Sequence, residues 1–393
     1  MKKKASVLVS ALLVGALIVT GCGTKTATPT ATTGSNASGD VIKIGVFEPM
    51  TGANAAGGAL EVDGIKLANK LYPEVNGKKV ELVLVDNKSD KVEAASAASR
   101  LVEKEKVSAI IGSWGSSLSM AAGDIVKKAQ VPAVAASATN PLVTKNNDFY
   151  FRVCFIDPFQ GKVMANYAFN NLKAKKVAIV QEVSNDYSIG LAKFFTDSFK
   201  QLTGDNDAIV GVANYNTGDQ DFSAQLTNLK AKNPDVIFAP GNFTESSLII
   251  KQARQLGIKA PFIGGDTWEV PEFIEVGKEA VEGATFSTFF TSEKPITPES
   301  EKFLAEFRKA NPGVEPAAVT ALGYDAYITI LDAIKRANSA DPVKIKEQLA
   351  KTKDFPGAAG MITLDENGDA VKDAVIKQVK NGKFAFMDII KAK

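Results

Sequence analysis

From Val41 onward, short runs of apolar and β-branched residues alternate with longer segments in which apolar residues recur every three or four positions. That alternation predicts β-α-β units feeding a parallel sheet. The runs predict strands over residues 41–47, 79–86, 107–112, 131–136, 149–155, 176–181, 208–214, 235–239, 261–264 and 284–290. Between them lie helices with recognisable ends. Asp90 is placed to cap a helix carrying Glu93 three positions on, with Val92, Ala95, Leu101 and Val102 expected on its inner face. Asp157-Pro158 and Thr297-Pro298 each set a capping side chain before a first-turn proline, and Gly257 follows a helix containing Leu248, Ile249, Ala253 and Leu256. Near the C-terminus, residues 361–364 and 374–390 read as strands, with Asn381-Gly382 as a hairpin turn. So many strands exceed one comfortable sheet, so the expectation is an α/β protein with two doubly wound parallel-sheet lobes and a cleft between them. No proline-rich or glycine-rich linker divides the halves, and the loops beside 149–155 and 284–290 are candidate crossings.

The N-terminus follows a different rule. Lys2, Lys3 and Lys4 precede an uncharged stretch whose apolar part, Ser6 to Thr20, ends at Gly21-Cys22. This is the layout of a signal peptide over residues 1–21; a membrane-spanning anchor is the competing reading. Ile18-Val19-Thr20-Gly21-Cys22 resembles the lipobox of bacterial lipoproteins, which implies lipid on Cys22. Residues 23–40, GTKTATPTATTGSNASGD, hold no aromatic or large aliphatic residue and read as a flexible tether after the lipidated cysteine. Such a tether, 22–39 in round terms, would leave the working part soluble at the membrane surface.

Composition then narrows the chemistry. Of 393 residues 45% are apolar, and 46 lysines and arginines against 44 acids give a net charge of +2. Removing the leader takes three lysines with it, so the mature chain is close to neutral, without the basic surplus that nucleic acid demands. There is no histidine, which removes the commonest general base, the usual nucleophile pairs and most zinc sites. Lipid on Cys22 would leave Cys154 without an intramolecular partner, and its apolar run, Phe149 to Phe155, marks it as a buried small hydrophobe.

The order of motifs resembles the type I periplasmic-binding fold, in the branched-chain amino acid (leucine/isoleucine/valine-type) family of ABC transporter substrate-binding proteins. The carriers are Ile42-Lys43-Ile44-Gly45-Val46, Met50-Thr51-Gly52 with a helix over Gly58 to Leu71, and Ile110-Ile111-Gly112-Ser113-Trp114-Gly115-Ser116-Ser117. They continue through Ala136-Ser137-Ala138-Thr139-Asn140-Pro141, Phe151-Arg152, Gln181 to Tyr187, Asp219-Gln220-Asp221-Phe222-Ser223 and Gly264-Gly265-Asp266. The resemblance implies two lobes joined by three crossovers, placed at residues 40–157 with 287–356 and 158–286 with 357–393. It implies an extracytoplasmic lipoprotein, acting as a monomer, that needs no cofactor and delivers a small amino acid to permease subunits with paired ATPases.

The loop Gly112 to Ser117 joins a predicted strand to a helix starting near Ser116. Ligands bind at the C-terminal edge of a parallel sheet, and a helix N-terminus offers free N–H groups to a carboxylate. By resemblance, Ser116 donates to the ligand carboxylate, with Gly115 beside it, and Thr139 meets the same group. Capping or turn stabilisation is the bland alternative for both. Asp266 matches the acidic partner of the ligand ammonium, and Ser137 would add its backbone carbonyl; a turn or capping aspartate is the alternative. Tyr187 aligns with a tyrosine that covers the ligand on closure. Trp114 and Trp268 flank predicted contacts, with ordinary packing as the alternative. Two departures bear on selectivity: glycine in Ala55-Ala56-Gly57-Gly58, where many relatives have an aromatic residue, and Asn242 in place of a tyrosine. A ligand-sensing receptor without transport, a binder of an amide, urea or aromatic acid, and an exported enzyme are the other readings. The last finds no G-x-S-x-G elbow or histidine dyad to support it.

Overall fold

The computed structural model describes residues 41–392, so Cys22, the leader and the tether lie outside the described residues. The first sheet comprises β1 (Ile42–Glu48), β2 (Glu74–Val75), β3 (Lys78–Asp86), β4 (Ala109–Ile111), β5 (Ala133–Ala135) and β6 (Tyr150–Arg152), ordered β2-β3-β1-β4-β5-β6. All its pairings are parallel except β2 with β3. The second sheet holds β7 (Val177–Glu182), β8 (Ile209–Tyr215), β9 (Val236–Phe238), β10 (Phe262–Gly264) and β11 (Thr285–Thr288). After a small hairpin, β12 (Phe355–Gly357) with β13 (Gly360–Ile362), it gains β14 (Ala374–Lys380) and β15 (Lys383–Ile390). The order is β15-β14-β11-β10-β9-β7-β8, with the two C-terminal strands antiparallel at one edge.

Among the described residues eleven α-helices connect these strands: α1 (Ala55–Leu71), α2 (Lys91–Arg100), α3 (Ser116–Ala129), α4 (Asp157–Asn166), α5 (Asp186–Thr203), α6 (Ser223–Ala231), α7 (Phe243–Gln255), α8 (Pro271–Gly277), α9 (Pro298–Ala310), α10 (Ala318–Ala337) and α11 (Pro342–Leu349). The chain passes from the first sheet to the second after β6. It leaves the second after β11 so that α10 packs on α1, and returns at β14. This is the expected α/β fold of two lobes with parallel-dominated sheets. Both lobes have apolar interiors: Ile44, Val46 and Ile111 are fully buried in one, and Val177, Ile237 and Ile263 in the other. No helix among the described residues is long and apolar enough to cross a membrane.

Local signals held unevenly. The Asp90 carboxylate accepts from the N–H groups of Val92 and Glu93, and Thr297 accepts from Ser300 N–H. Val92, however, is 74% exposed. The inner face of α2 is Ala94, Ala97 and Ala98, continued by the expected Leu101, with the expected Val102 partly buried against the same core. Asp157 does not cap: the cap position is Ile156, and the Asp157 carboxyl is buried beside Thr139. Helix α1 begins at Ala55, three residues before the expected Gly58, because its first turn packs under Trp114.

Candidate functional site

The C-terminal ends of the parallel strands of both sheets converge on one cavity of about 90 Å³. From the first lobe come Trp114, Gly115, Ser116, Ser117 and Leu118 after β4, and Ser137 after β5. The second lobe contributes Glu182, Ser184, Asn185 and Tyr187 after β7, Asn242 after β9 and Asp266 after β10. Seven residues expected at the site therefore line one hollow: Trp114, Gly115, Ser116, Ser137, Tyr187, Asn242 and Asp266.

Gly115 holds φ at +93°, a left-handed conformation open to glycine, and releases the chain into α3 at Ser116. The first N–H groups of a helix have no acceptor within it, and here they belong to cavity-lining residues, Ser116 to Leu118. The Ser116 hydroxyl also accepts from Asn140 N–H at 3.1 Å, tying the loops after β4 and β5 together. This corner can receive an anion by hydrogen bonding to the open N–H groups.

Asp266 is 4% exposed. Its Oδ1 accepts from Gln160 Nε2 at 2.7 Å and from the Tyr187 hydroxyl at 3.0 Å. Burial raises its carboxyl to about 6, against the lowering effect of those two donors. A carboxylate so placed favours a cation that also donates hydrogen bonds. Tyr187 thus serves as a donor to Asp266: its hydroxyl reaches so close to Gly265 that a Cβ there would lie 2.0 Å away.

Thr139 and Trp268 do not line the cavity. Thr139 is fully buried; its carbonyl accepts the first N–H of α4, from Asp157, at 3.0 Å, which draws it behind the wall. Beside it, burial lifts the Asp157 carboxyl to about 8, with the Thr139 hydroxyl opposing the shift. Trp268 stacks on Phe273 with ring centroids 4.7 Å apart and lies against Gly264, so it is a core residue of the second lobe. Trp114 is 2% exposed and meets Phe243 of the other lobe in a T-shaped contact, centroids 6.2 Å apart. A Cβ on Gly57 would lie 2.4 Å from the Trp114 ring, so the glycine at that position accommodates this tryptophan.

The lobes touch at the cleft. Asp186, opening α5, accepts from Lys91 Nζ at 3.0 Å and Ser117 Oγ at 2.7 Å, and its carbonyl accepts from Asn140 Nδ2 at 2.8 Å. Asn242 Nδ2 donates to Asn54 Oδ1 at 3.0 Å across the same gap. Sequence reasoning missed this latch, together with Arg152 as an organiser. Fully buried, Arg152 donates to the carbonyls of Ala138 and Asn140 at 2.7 and 3.0 Å and pairs with Asp369 at 2.6 Å. Its place in the Phe151-Arg152 motif was the signal available.

The chain matches the family model described as periplasmic binding protein over residues 41–383. A Leu/Ile/Val-binding protein homolog 1 from Brucella melitensis biotype 1 is 31% identical over 340 residues, covering 86% of this chain and 89% of the relative. Among solved structures, leucine binding protein LivK from Thermotoga maritima MSB8 shares 47% identity at a TM-score of 0.86, covering 89% of this chain and 99% of that one. The branched-chain amino acid transporter substrate binding protein LivJ from Streptococcus pneumoniae, solved with isoleucine, shares 36% identity at a TM-score of 0.83, with the same coverage. A family match over nearly all the described residues, joined by these full-length likenesses, establishes that the chain belongs to the periplasmic binding protein family of solute-binding proteins.

Proposed function

We propose that this protein captures a small amino acid between its lobes and delivers it to an ABC importer. The observation that carries the reading is the pairing, across one cavity, of a buried carboxylate on the second lobe with the open first turn of α3 on the first. A zwitterion matches both ends: the ammonium on Asp266 with the Ser137 carbonyl, the carboxylate on the N–H groups and hydroxyl at Ser116. Thr139 supports this corner from behind. A ligand lacking either charge would leave a buried partner unsatisfied, which is the basis of selectivity. Beyond the α-groups the wall is polar, with Asn54, Ser184, Thr217 and Asn242, and the cavity is small. That favours a compact side chain over a long apolar one.

Closure proceeds by hinge motion at the three crossings, with lobes at residues 40–157 with 287–356 and 158–286 with 357–393. The leader, the tether and lipid on Cys22 place the binding protein outside the cytoplasmic membrane, next to its permease. Titration calorimetry of the purified protein against each common amino acid tests the reading. At least one should bind with a dissociation constant of about 1 µM or tighter; no heat from any of them with folded protein would refute it. Native mass spectrometry of freshly purified protein identifies retained cargo directly.

A further inference from the structure

Behind Trp114 and Ser137, two carboxyl groups meet in the dry interior of the first lobe. Glu48 ends β1 and Glu61 lies in α1; both are fully buried. Each uses one oxygen on the cavity wall. Glu48 Oε2 accepts from Trp114 N–H at 2.5 Å, with Ser113 Oγ at 3.4 Å, and Glu61 Oε1 accepts from the Ser137 hydroxyl. The remaining oxygens, Glu48 Oε1 and Glu61 Oε2, have no other donor. The two side chains come close enough to influence each other where α1 packs on β1. Two carboxylates in contact cannot both stay ionised in a dehydrated site, whereas one proton between them satisfies both orphan oxygens.

We infer that Glu48 and Glu61 form a proton-sharing carboxyl pair that positions the Trp114 peptide and the Ser137 hydroxyl and so holds the wall of the ligand cavity. Neither lines the cavity, so both are positioning residues. Burial and the neighbouring acid raise Glu48 well above the ordinary carboxyl range, and burial raises Glu61 to about 8. The groups around the pair do not neutralise it. Asp266 faces it from the turn after β10, and Tyr150 and Cys154 from β6 and the segment beyond. On β3, Asp86 is in register with Glu48 but accepts from the N–H groups of Met50, Thr51 and Lys88. On α10, packed against α1, Asp325 is engaged by Lys372 and Tyr324 by Glu299.

The inference rests on the proposed ligand site for its purpose, but its test needs no ligand. The folded pair holds its proton far above the unfolded carboxyl range. Its stabilisation is therefore complete below the ordinary carboxyl pKa and is lost as pH rises through about 8. Urea unfolding of the wild type should show this loss between pH 5 and 8. Glu61→Gln, which supplies a non-titrating N–H to Glu48, should reduce the slope by up to one proton, about tenfold in the unfolding constant per pH unit. In a Trp268→Phe background, Trp114 emission should shift between pH 7 and 9 with Glu61 and stay constant with Gln there. Infrared spectra at pH 7 should show the carbonyl band of a buried protonated acid that Glu61→Gln and Glu48→Gln each remove. Equal pH slopes, an unshifted Trp114 emission, or no protonated-acid band assignable to either residue would overturn the pair. Should Glu61→Gln fail to fold, Glu48→Gln places the donor on the other side and gives the same three readings. If no amino acid binds, the proposed function fails while these readings still decide the pair.

Discussion

The Tyr187 hydroxyl donates to Oδ1 of Asp266 at 3.0 Å, and Gln160 Nε2 reaches the same oxygen at 2.7 Å. Two donors on one oxygen orient the carboxylate that, in the proposed function, meets a ligand ammonium. Removing one with Tyr187→Phe should cost about 1.5–3 kcal/mol of affinity, the range for a hydrogen bond to a charged group. Calorimetry with the cognate amino acid measures it, and an unchanged dissociation constant would assign Tyr187 to packing alone.

The same carboxyl sets a pH dependence. Burial raises Asp266 to about 6, and only the ionised form attracts an ammonium. Affinity should be flat above pH 7 and fall about tenfold per unit below pH 6. Tyr187→Phe withdraws a donor to the ionised form, so the fall should begin at higher pH. Asp266→Asn should abolish the limb and cost about 2–5 kcal/mol at neutral pH, as expected for truncating a buried charge pair.

Asp186 joins the lobes through Lys91, Ser117 and the Asn140 amide. Burial raises its carboxyl, but the Ser117 and Lys91 bonds outweigh that and hold it below the usual aspartate range. The latch is therefore intact above the ordinary aspartate pKa and weakens only as pH falls through the lowered value, well clear of the Asp266 limb. Because the Lys91 side chain is 53% exposed, salt screens its share, and Asp186→Ala should cost affinity only about 1 kcal/mol. Small-angle scattering of the liganded variant should show a larger radius of gyration than wild type.

Apart from β2, Glu74–Val75, which is too short to stand out, the strands of both sheets were readable as apolar or β-branched runs bounded by turn residues, and the Asn381-Gly382 hairpin follows from its dipeptide. That Gly115, Ser116 and Asp266 come to line one cavity was readable because the C-terminal ends of parallel strands gather loops at one edge. Trp268 was not, since a tryptophan two residues from a site aspartate can turn either way, and Gly264 opened room for it in the core. Glu48 and Glu61 resemble ordinary exposed acids in sequence; only β1 lying next to β4, with α1 over it, brings them together.

Gly57 lies in the first turn of α1, where alanine is normally the better helix former by about 1 kcal/mol. Here the expected sign is reversed, since the added methyl would stand 2.4 Å from the Trp114 ring. Gly57→Ala should destabilise the protein by about 1–3 kcal/mol through overpacking and weaken ligand binding by pushing Trp114 into the cavity. Urea midpoints and Trp114 emission in a Trp268→Phe background check both effects; a more stable variant with unaltered emission would show that the wall yields.

Arg152 carries the last prediction. Its guanidinium holds the carbonyls of Ala138 and Asn140, the Thr144 hydroxyl and the Asp369 carboxylate, all from one buried position. Asp369 lies on the returning segment just before β14, so one side chain fixes both the loop behind Ser137 and the crossing between lobes. Lysine has a single donor centre and cannot reproduce the fork. Arg152→Lys should therefore lower stability, and Arg152→Met, which removes the cation altogether, should cost about 3–5 kcal/mol, as breaking a buried pair does by stranding its partner. Adding Asp369→Asn should recover part of that loss, because the stranded charge is gone. A double-mutant cycle on urea unfolding measures the coupling, and simple additivity of the two losses would show that the pair acts as two independent packing residues.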